Sequence, residues 1–364
     1  MKNLSLNDST QLAILPHISI TEELLCSAIK SASGTGGEVE IVAMPDLGLS
    51  SNVIRMRGGF FTGMYIHWKC NLPFVPVDAT VNSCGVYIFT LNQSIERADF
   101  ERRIQMGKKN IHSLNYNWNF ERGNHFITYG HFNNGTPCIV MHASADEYKK
   151  SRNDVALYPT NDCWYKDEIR VYYSQKEEGG RYLRYICGNA AEKFIGIAMS
   201  INEKNGKRHK DIAQIMFGDI LNDEYLFVSH YGMPTSSSIA IGCSWEESRI
   251  VLLSAAKKSI YIIKPDTEHD AVDANVDGLS LNPHGFGVEI QQPVINYKNG
   301  NLHINGVIIT SDDSISYLNG RGVRMRNATD KEVDEHVTKI LAECKGTIQN
   351  VIKPTLSLSS VGLI

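Results

Sequence analysis

Cys138-Ile139-Val140-Met141-His142 is the run from which the fold is read. Adjacent β-branched residues in an apolar stretch favour an extended chain, and the histidine at its end falls at a strand terminus. Runs of the same kind recur at Val39–Met44, Val86–Leu91, Tyr225–Ser229, Ile250–Leu253, Ser259–Ile263 and Leu302–Thr310, bounded by Gly, Asn or Asp. Asn299-Gly300, between Ile295–Tyr297 and Leu302–Ile304, predicts a tight hairpin with both turn residues at positive φ.

Helical spacing is rarer. Thr329-x-x-Glu332 reads as a capping box. It opens a helix over Lys331–Ile352 with Val333, Val337, Ile340, Leu341, Cys344, Ile348 and Val351 on one face. Ser19-x-x-Glu22 predicts a second helix, Glu22–Lys30. Tyr182–Ile201 reads as a third, with a stripe of Leu183, Ile186, Ala190, Phe194, Ile197, Ala198 and Ile201, and Glu96–Lys108 as a shorter charged one. Strands outnumber helices and mostly follow one another, so the expected class is α+β. No repeat, low-complexity tract or Pro/Ser linker divides the chain, and one large domain over 1–364 is expected.

The 364 residues are 42% hydrophobic and 21% charged, which excludes disorder, collagen-like repeats and a pure coiled coil. With 36 Lys+Arg against 40 Asp+Glu, the chain as a whole is not a basic nucleic-acid binder. Local cations remain candidates for phosphate contacts: Arg102, Arg103, Lys108 and Lys109; Lys149, Lys150 and Arg152; Lys204–Lys210; Arg321, Arg324 and Arg326. The eight cysteines form no CxxC pair, which argues against a zinc ribbon or a disulfide framework and for a reducing compartment. Met1–Asp8 has no signal-type apolar run, and stretches such as Ile250–Ala256 fall far short of the ~20 residues of a membrane span. A soluble cytoplasmic protein without membrane contact is expected.

Familiar catalytic signatures are missing: there is no Walker loop, GxGxxG, HExxH or GxSxG. Gly34-Thr35-Gly36-Gly37 precedes a strand and reads as a turn. What stands out is a set of residues at strand ends. His125 lies in Gly123-Asn124-His125-Phe126-Ile127, His142 closes its strand, and His230 closes Leu226-Phe227-Val228-Ser229-His230. His284 sits in Asn282-Pro283-His284-Gly285-Phe286-Gly287, and Cys84 opens the strand after Asn82-Ser83. Each alone reads as a structural residue. Together they place imidazoles and a thiol where a sheet presents side chains to a shared site. Imidazole accepts several transition metals and a thiolate favours softer ones such as Zn²⁺, so the ligand types leave the metal open.

At these residues the chain resembles the RtcB family of RNA 3′-phosphate ligases, in order and over most of its length. Ala43-Met44-Pro45-Asp46 resembles the family's MPD segment, and Asn82-Ser83-Cys84-Gly85-Val86 its D-x-x-C-G strand start. Gly123-Asn124-His125-Phe126 matches its GNHF element, and Ile139–His142 its strand ending in HSGSR. Tyr182-Leu183 and the helix to Asn202 are similar to its YL…A…NR helix. Val228-Ser229-His230 resembles its HN element, and His284-Gly285-Phe286-Gly287 its HGAGR element. The resemblance implies mixed and antiparallel sheets with flanking helices around a central metal site. It implies one or two Mn²⁺ ions, Zn²⁺ being possible, held by Cys84, His125, His142 and His230. It makes His284 the nucleophile that is guanylated by GTP, with Asn124 a guanylate contact. The implied substrates are RNA 2′,3′-cyclic phosphate or 3′-phosphate ends and 5′-hydroxyl ends, as in RNA repair or tRNA splicing.

The chain also departs from the family's pattern. The aspartate three before the Cys falls on Val81, with Asn82 and Asp78 nearby. The His of the MPD segment is Gly48, the Glu of GNHFxE is Thr128, and HSGSRG is His142-Ala143-Ser144-Ala145-Asp146. The Asn after the third metal His is Tyr231, the Arg of HGAGR is Val288, and the C-terminal Lys has no match in Leu356–Ile364. Two expectations follow. One is an active, divergent ligase, of a kind that would suit a viral or mobile-element relative working in host cytoplasm. The other is a ligase-fold protein without guanylation that binds RNA ends or opens cyclic phosphates with one metal.

Overall fold

The computed structural model describes the chain apart from residues 51, 151–153, 175–180, 246–247, 254–256, 266–274, 277, 286–289, 291 and 311–327, and apart from the side chains of 275–276. Arg152, Phe286, Gly287, Val288, Arg321, Arg324 and Arg326 therefore lie outside the described residues.

The Val-, Ile- and Tyr-rich runs build a curled antiparallel sheet. Its strands lie in the order Leu221–Ser229, Gly85–Leu91, Pro137–Ala143, Phe126–Phe132, Thr347–Ser359, Ile260–Lys264 and Ile250–Leu252, with Gly362–Leu363 folded back on Thr347–Ser359. Alternation sends Tyr87, Phe89, Ile139 and Met141 to one face and Val86, Ile88 and Val140 to the other. A second sheet runs Lys2–Asn3, Glu38–Gly48, Thr62–Lys69, Ser238–Ile241 and Tyr231–Gly232, with only its first pair parallel. One residue, His230, separates Leu221–Ser229 in the first sheet from Tyr231–Gly232 in the second. The class is α+β, as expected.

Five helices flank the sheets among the described residues: α1 (Ser9–Ser33), α2 (Val53–Arg57), α3 (Arg97–Asn110), α4 (Asn189–Phe217) and α5 (Asp330–Cys344). The apolar side of α4 serves two cores. Phe194, Ala198 and Ile201 pack with α1 and the second sheet, whereas Ile212, Ala213, Met216 and Phe217 pack under α3 and the first. Burying each large apolar side chain is worth roughly 1.5–3 kcal/mol, and α4 contributes such side chains to both cores.

Several boundaries differ from those expected. The first helix starts at Ser9, where Asp8 and Gln11 form the capping box, and it runs through Ser19, so Ser19 caps nothing. Pro16 sits inside it, and burial of Ile14, Ile18, Leu25 and Ile29 carries the helix past the hydrogen bond that proline removes. By length and composition α1 is also apolar enough to cross a membrane, contrary to expectation. Polar Ser and Thr residues break its apolar run in the sequence. Tyr182–Cys187 is a strand, not the start of a helix. Gly188, at φ 64°, turns the chain before α4 begins. The last helix has the expected Thr329–Glu332 box but stops at Cys344, where Lys345 adopts φ 47°. Ile348 and Val351 belong to the strand that follows. Asn299 and Gly300 take positive φ in the expected hairpin. A second Asn-Gly pair, Asn305-Gly306, splits Leu302–Thr310 into two strands.

Candidate functional site

Cys84, His142 and His230 meet because their strands end together. Gly85 pairs with both Ala143 and Ser229, and Val86 pairs with His142. Cys84, His142 and His230 therefore emerge at one end of three adjacent strands. The backbone N–H of His230 donates to the Cys84 carbonyl at 3.1 Å, which fixes the sheet-to-sheet joint against the thiol.

Cys84 Sγ lies 3.0 Å from His142 Nε2, which lies 3.1 Å from His230 Nε2, and the three donor atoms all fall within 4.8 Å of one another. His142 Nδ1 faces the Asn124 carbonyl at 2.9 Å. A carbonyl only accepts, so Nδ1 carries the proton and Nε2 presents a bare lone pair to the thiol and to His230. Burial pushes His142 down to about 4 and His230 well below its ordinary range, so both rings are neutral donors at neutral pH. Burial pushes the Cys84 thiol up to about 12, against the opposing pull of Lys149 and Arg55. A thiol and two neutral imidazoles packed this closely, without charge of their own, suit a soft divalent cation. Among the described residues no carboxylate joins the set, so the hard oxygen donor preferred by Mn²⁺ or Mg²⁺ is missing.

His125 stands beside this trio but does not join it. Its ring centroid is 5.7 Å from that of His142. Its Nδ1–H donates to the Asn119 carbonyl at 3.0 Å, and its Nε2 faces the Ser144 hydroxyl at 3.4 Å. The exposed side chain of Asn124 leaves its backbone carbonyl to orient His142.

His284 follows a strand of a separate two-stranded sheet. Asn282–Pro283 pairs with Cys243–Ser244, and the His284 carbonyl accepts from Leu253 N–H at 2.9 Å. Gly285, at φ 138°, lies so close to Leu253 that a Cβ there would sit 2.0 Å from its carbonyl oxygen. Gly242, at φ 69°, lies against the His284 ring. Only glycine fits at either point. The ring centroid of His284 is 5.2 Å from that of His230, so ring contacts run without a break from His125 through His142 and His230 to His284.

Asp46 was quoted in the sequence only as part of a motif, yet it organises this side of the site. Its Oδ2 accepts from His284 Nδ1–H at 2.7 Å, His284 N–H at 3.0 Å and Gly285 N–H at 2.8 Å. The carboxylate thus holds the proton on His284 Nδ1 and leaves Nε2 as the ring nitrogen that Asp46 does not engage, while Asp46 Oδ1 is buried without a partner. The other acidic candidate is excluded: Asp78 is committed to Arg184, with contacts of 2.6–3.0 Å. Asn82 turns back on its own loop, accepting from Cys84 N–H and donating to the Tyr158 hydroxyl.

Most candidate phosphate-binding cations are already engaged. Arg102 and Arg103 pair with Asp99, Lys108 with Glu121, Lys149 with Asp146, Lys207 with Asp211 and Lys210 with Glu224. Arg208 is buried against Glu147. Lys150 lies over the Tyr158 ring, and Lys204 over the Tyr148 ring. The chain matches no protein-family model, and no curated protein matches it significantly.

Proposed function

We propose that the chain is a divergent, single-domain RtcB-like RNA ligase. In this reading His284 takes a guanylate from GTP and passes it to an RNA 3′-phosphate, which is then joined to a 5′-hydroxyl end. The observation that carries the reading is the Asp46–His284 pair: a buried imidazole with Nδ1–H held by a carboxylate and its ring 5.2 Å from that of His230, a member of the Cys84–His142–His230 cluster. The Nε2 lone pair bonds to the α-phosphorus of GTP, and the bond to pyrophosphate breaks. The ring becomes cationic, and Asp46 offsets that charge. An oxygen of the RNA 3′-phosphate then displaces His284 from phosphorus, returning its lone pair. The 5′-hydroxyl attacks the activated RNA phosphate and GMP leaves. A 2′,3′-cyclic end must first be opened by water. A cation held by Cys84, His142 and His230 would neutralise phosphate charge and orient the attacking oxygen.

A second reading is favoured by the donor set. Without a carboxylate in the cluster, and with His125 facing Ser144, the site suits one soft ion better than two Mn²⁺ ions. A protein of that kind would bind RNA ends, or open cyclic phosphates, without guanylation. Incubation with α-labelled GTP and Mn²⁺ or Zn²⁺ separates the two. The ligase reading expects acid-labile label on the wild type and none on His284→Ala. An unlabelled wild type that still opens a 2′,3′-cyclic phosphate would establish the second reading instead.

A further inference from the structure

We infer that Asn205 is a positioning residue for the metal centre: its side-chain amide fixes together the two strand ends that carry Cys84 and His142. The inference rests on the metal-centre reading above. Asn205 lies on α4, fully buried, and its Nδ2 donates to the Ser83 carbonyl at 2.5 Å and to the Ala143 carbonyl at 3.1 Å. Ser83 immediately precedes Cys84, and Ala143 immediately follows His142. The backbone pairing between these strands ends at Gly85 and Ala143. The amide therefore takes over where the sheet's own ladder stops, holding the carbonyl just before Cys84 and the one just after His142.

The orientation of the amide is not free. Two carbonyl oxygens face it, and only the NH₂ group can donate to both. That leaves Asn205 Oδ1 buried without a partner. An unpartnered buried oxygen is destabilising, and an apolar side chain of similar size would remove that cost only by giving up both donors to the Ser83 and Ala143 carbonyls. Packing alone does not account for an asparagine here; a crosslink between two ligand-bearing segments does. Groups that hold metal ligands in place without touching the metal commonly change affinity by roughly 10- to 100-fold when removed.

The test uses the full chain, stripped of metal and titrated with Co²⁺, whose thiolate charge-transfer and d–d bands report coordination geometry. Zn²⁺ competition then gives relative affinities. Asn205→Leu keeps the volume and removes both donors; Asn205→Ala removes the side chain. The expected result is roughly 10- to 100-fold weaker binding in both, with altered d–d bands and retained circular dichroism. Ile212→Ala, a core change on the same helix, is expected to lower the unfolding temperature and leave the cobalt spectrum unchanged. Wild-type affinity and spectrum in folded Asn205→Leu would overturn the proposal, as would failure of both Asn205 variants to fold, which would assign the residue to general stability. A wild type that takes up neither ion would remove the metal centre itself, and this proposal with it.

Discussion

Asp46 shows what one residue adds to a site. It lies 238 positions from His284, yet its Oδ2 takes three hydrogens from His284 and Gly285. A carboxylate in this position prepares an imidazole in two ways: it locks the proton on Nδ1, and it stabilises the positive charge that appears when Nε2 forms a bond. Asp46→Asn keeps an oxygen acceptor but loses the charge. We expect nitrogen-detected NMR to show His284 as the Nδ1–H tautomer in the wild type and as a mixture in Asp46→Asn. Guanylate transfer, where it occurs, should slow by about 100-fold or more. An unchanged tautomer and rate would reduce Asp46 to an anchor for the Gly285 turn. Little of this is legible in the sequence. Cys84, His142 and His230 can be read because each closes or opens a strand-like run, a local signal. The partnership of Asp46 depends on which strands neighbour one another, and no spacing encodes it.

At the scale of elements, the loop that delivers Cys84 carries visible strain. Thr80 is buried at φ 46° and ψ 64°, a conformation that β-branched residues rarely adopt, and its hydroxyl has no partner. Arg55, on the short helix α2, holds the turn. Its Nε and Nη2 donate to the carbonyls of Ala79 and Thr80 at 3.0 and 2.8 Å, and its guanidinium lies 4.8 Å from the Tyr231 ring centroid, next to His230. Removing the grip strands two buried carbonyls, so Arg55→Met should cost about 2–4 kcal/mol in denaturant unfolding. In a Thr80→Gly background the same change should cost roughly 1 kcal/mol less, because glycine holds this conformation unaided. Equal costs in both backgrounds would show that Arg55 restrains no strain. Elements differ in how readily they can be read for a related reason. The Thr329–Glu332 box is local and was legible. Asp8-x-x-Gln11 and Ser19-x-x-Glu22 satisfy much the same local rule, and burial of Ile14 and Ile18 decides in favour of the first. Tyr182–Cys187 carries apolar residues that suit either period. The positive φ of Gly188, set by the turn into α4, makes it a strand.

Across the whole molecule, burial of histidines couples stability to pH. His209 is fully buried on α4 and its Nδ1–H donates to the Asn205 carbonyl. Burial first, and then the neighbouring Arg208 charge, push it down to about 3. Burial likewise brings His17 on α1 down to about 4, with Arg181 adding to the effect. Each is neutral in the folded protein and takes a proton in the unfolded chain near its ordinary value of about 6.5. The unfolded state therefore binds more protons below that value. The stability these groups contribute is complete above about pH 6.5 and is lost progressively as pH falls towards 4 and 3. For His209 alone the loss between pH 7 and pH 5 is about 2 kcal/mol. Denaturant unfolding of the metal-free protein should thus show falling stability from pH 7 to pH 5. His209→Leu should flatten that slope by about the His209 share, whatever it does to stability at pH 7. A slope unaltered by His209→Leu would mean that the ring meets protons in the folded state and that the aromatic cluster of Tyr87, Phe120 and Phe227 around it opens to water. Because α4 carries both His209 and Asn205, such opening would also loosen the hold on the strand ends that bear Cys84 and His142, and acid would weaken metal uptake before the fold as a whole gives way.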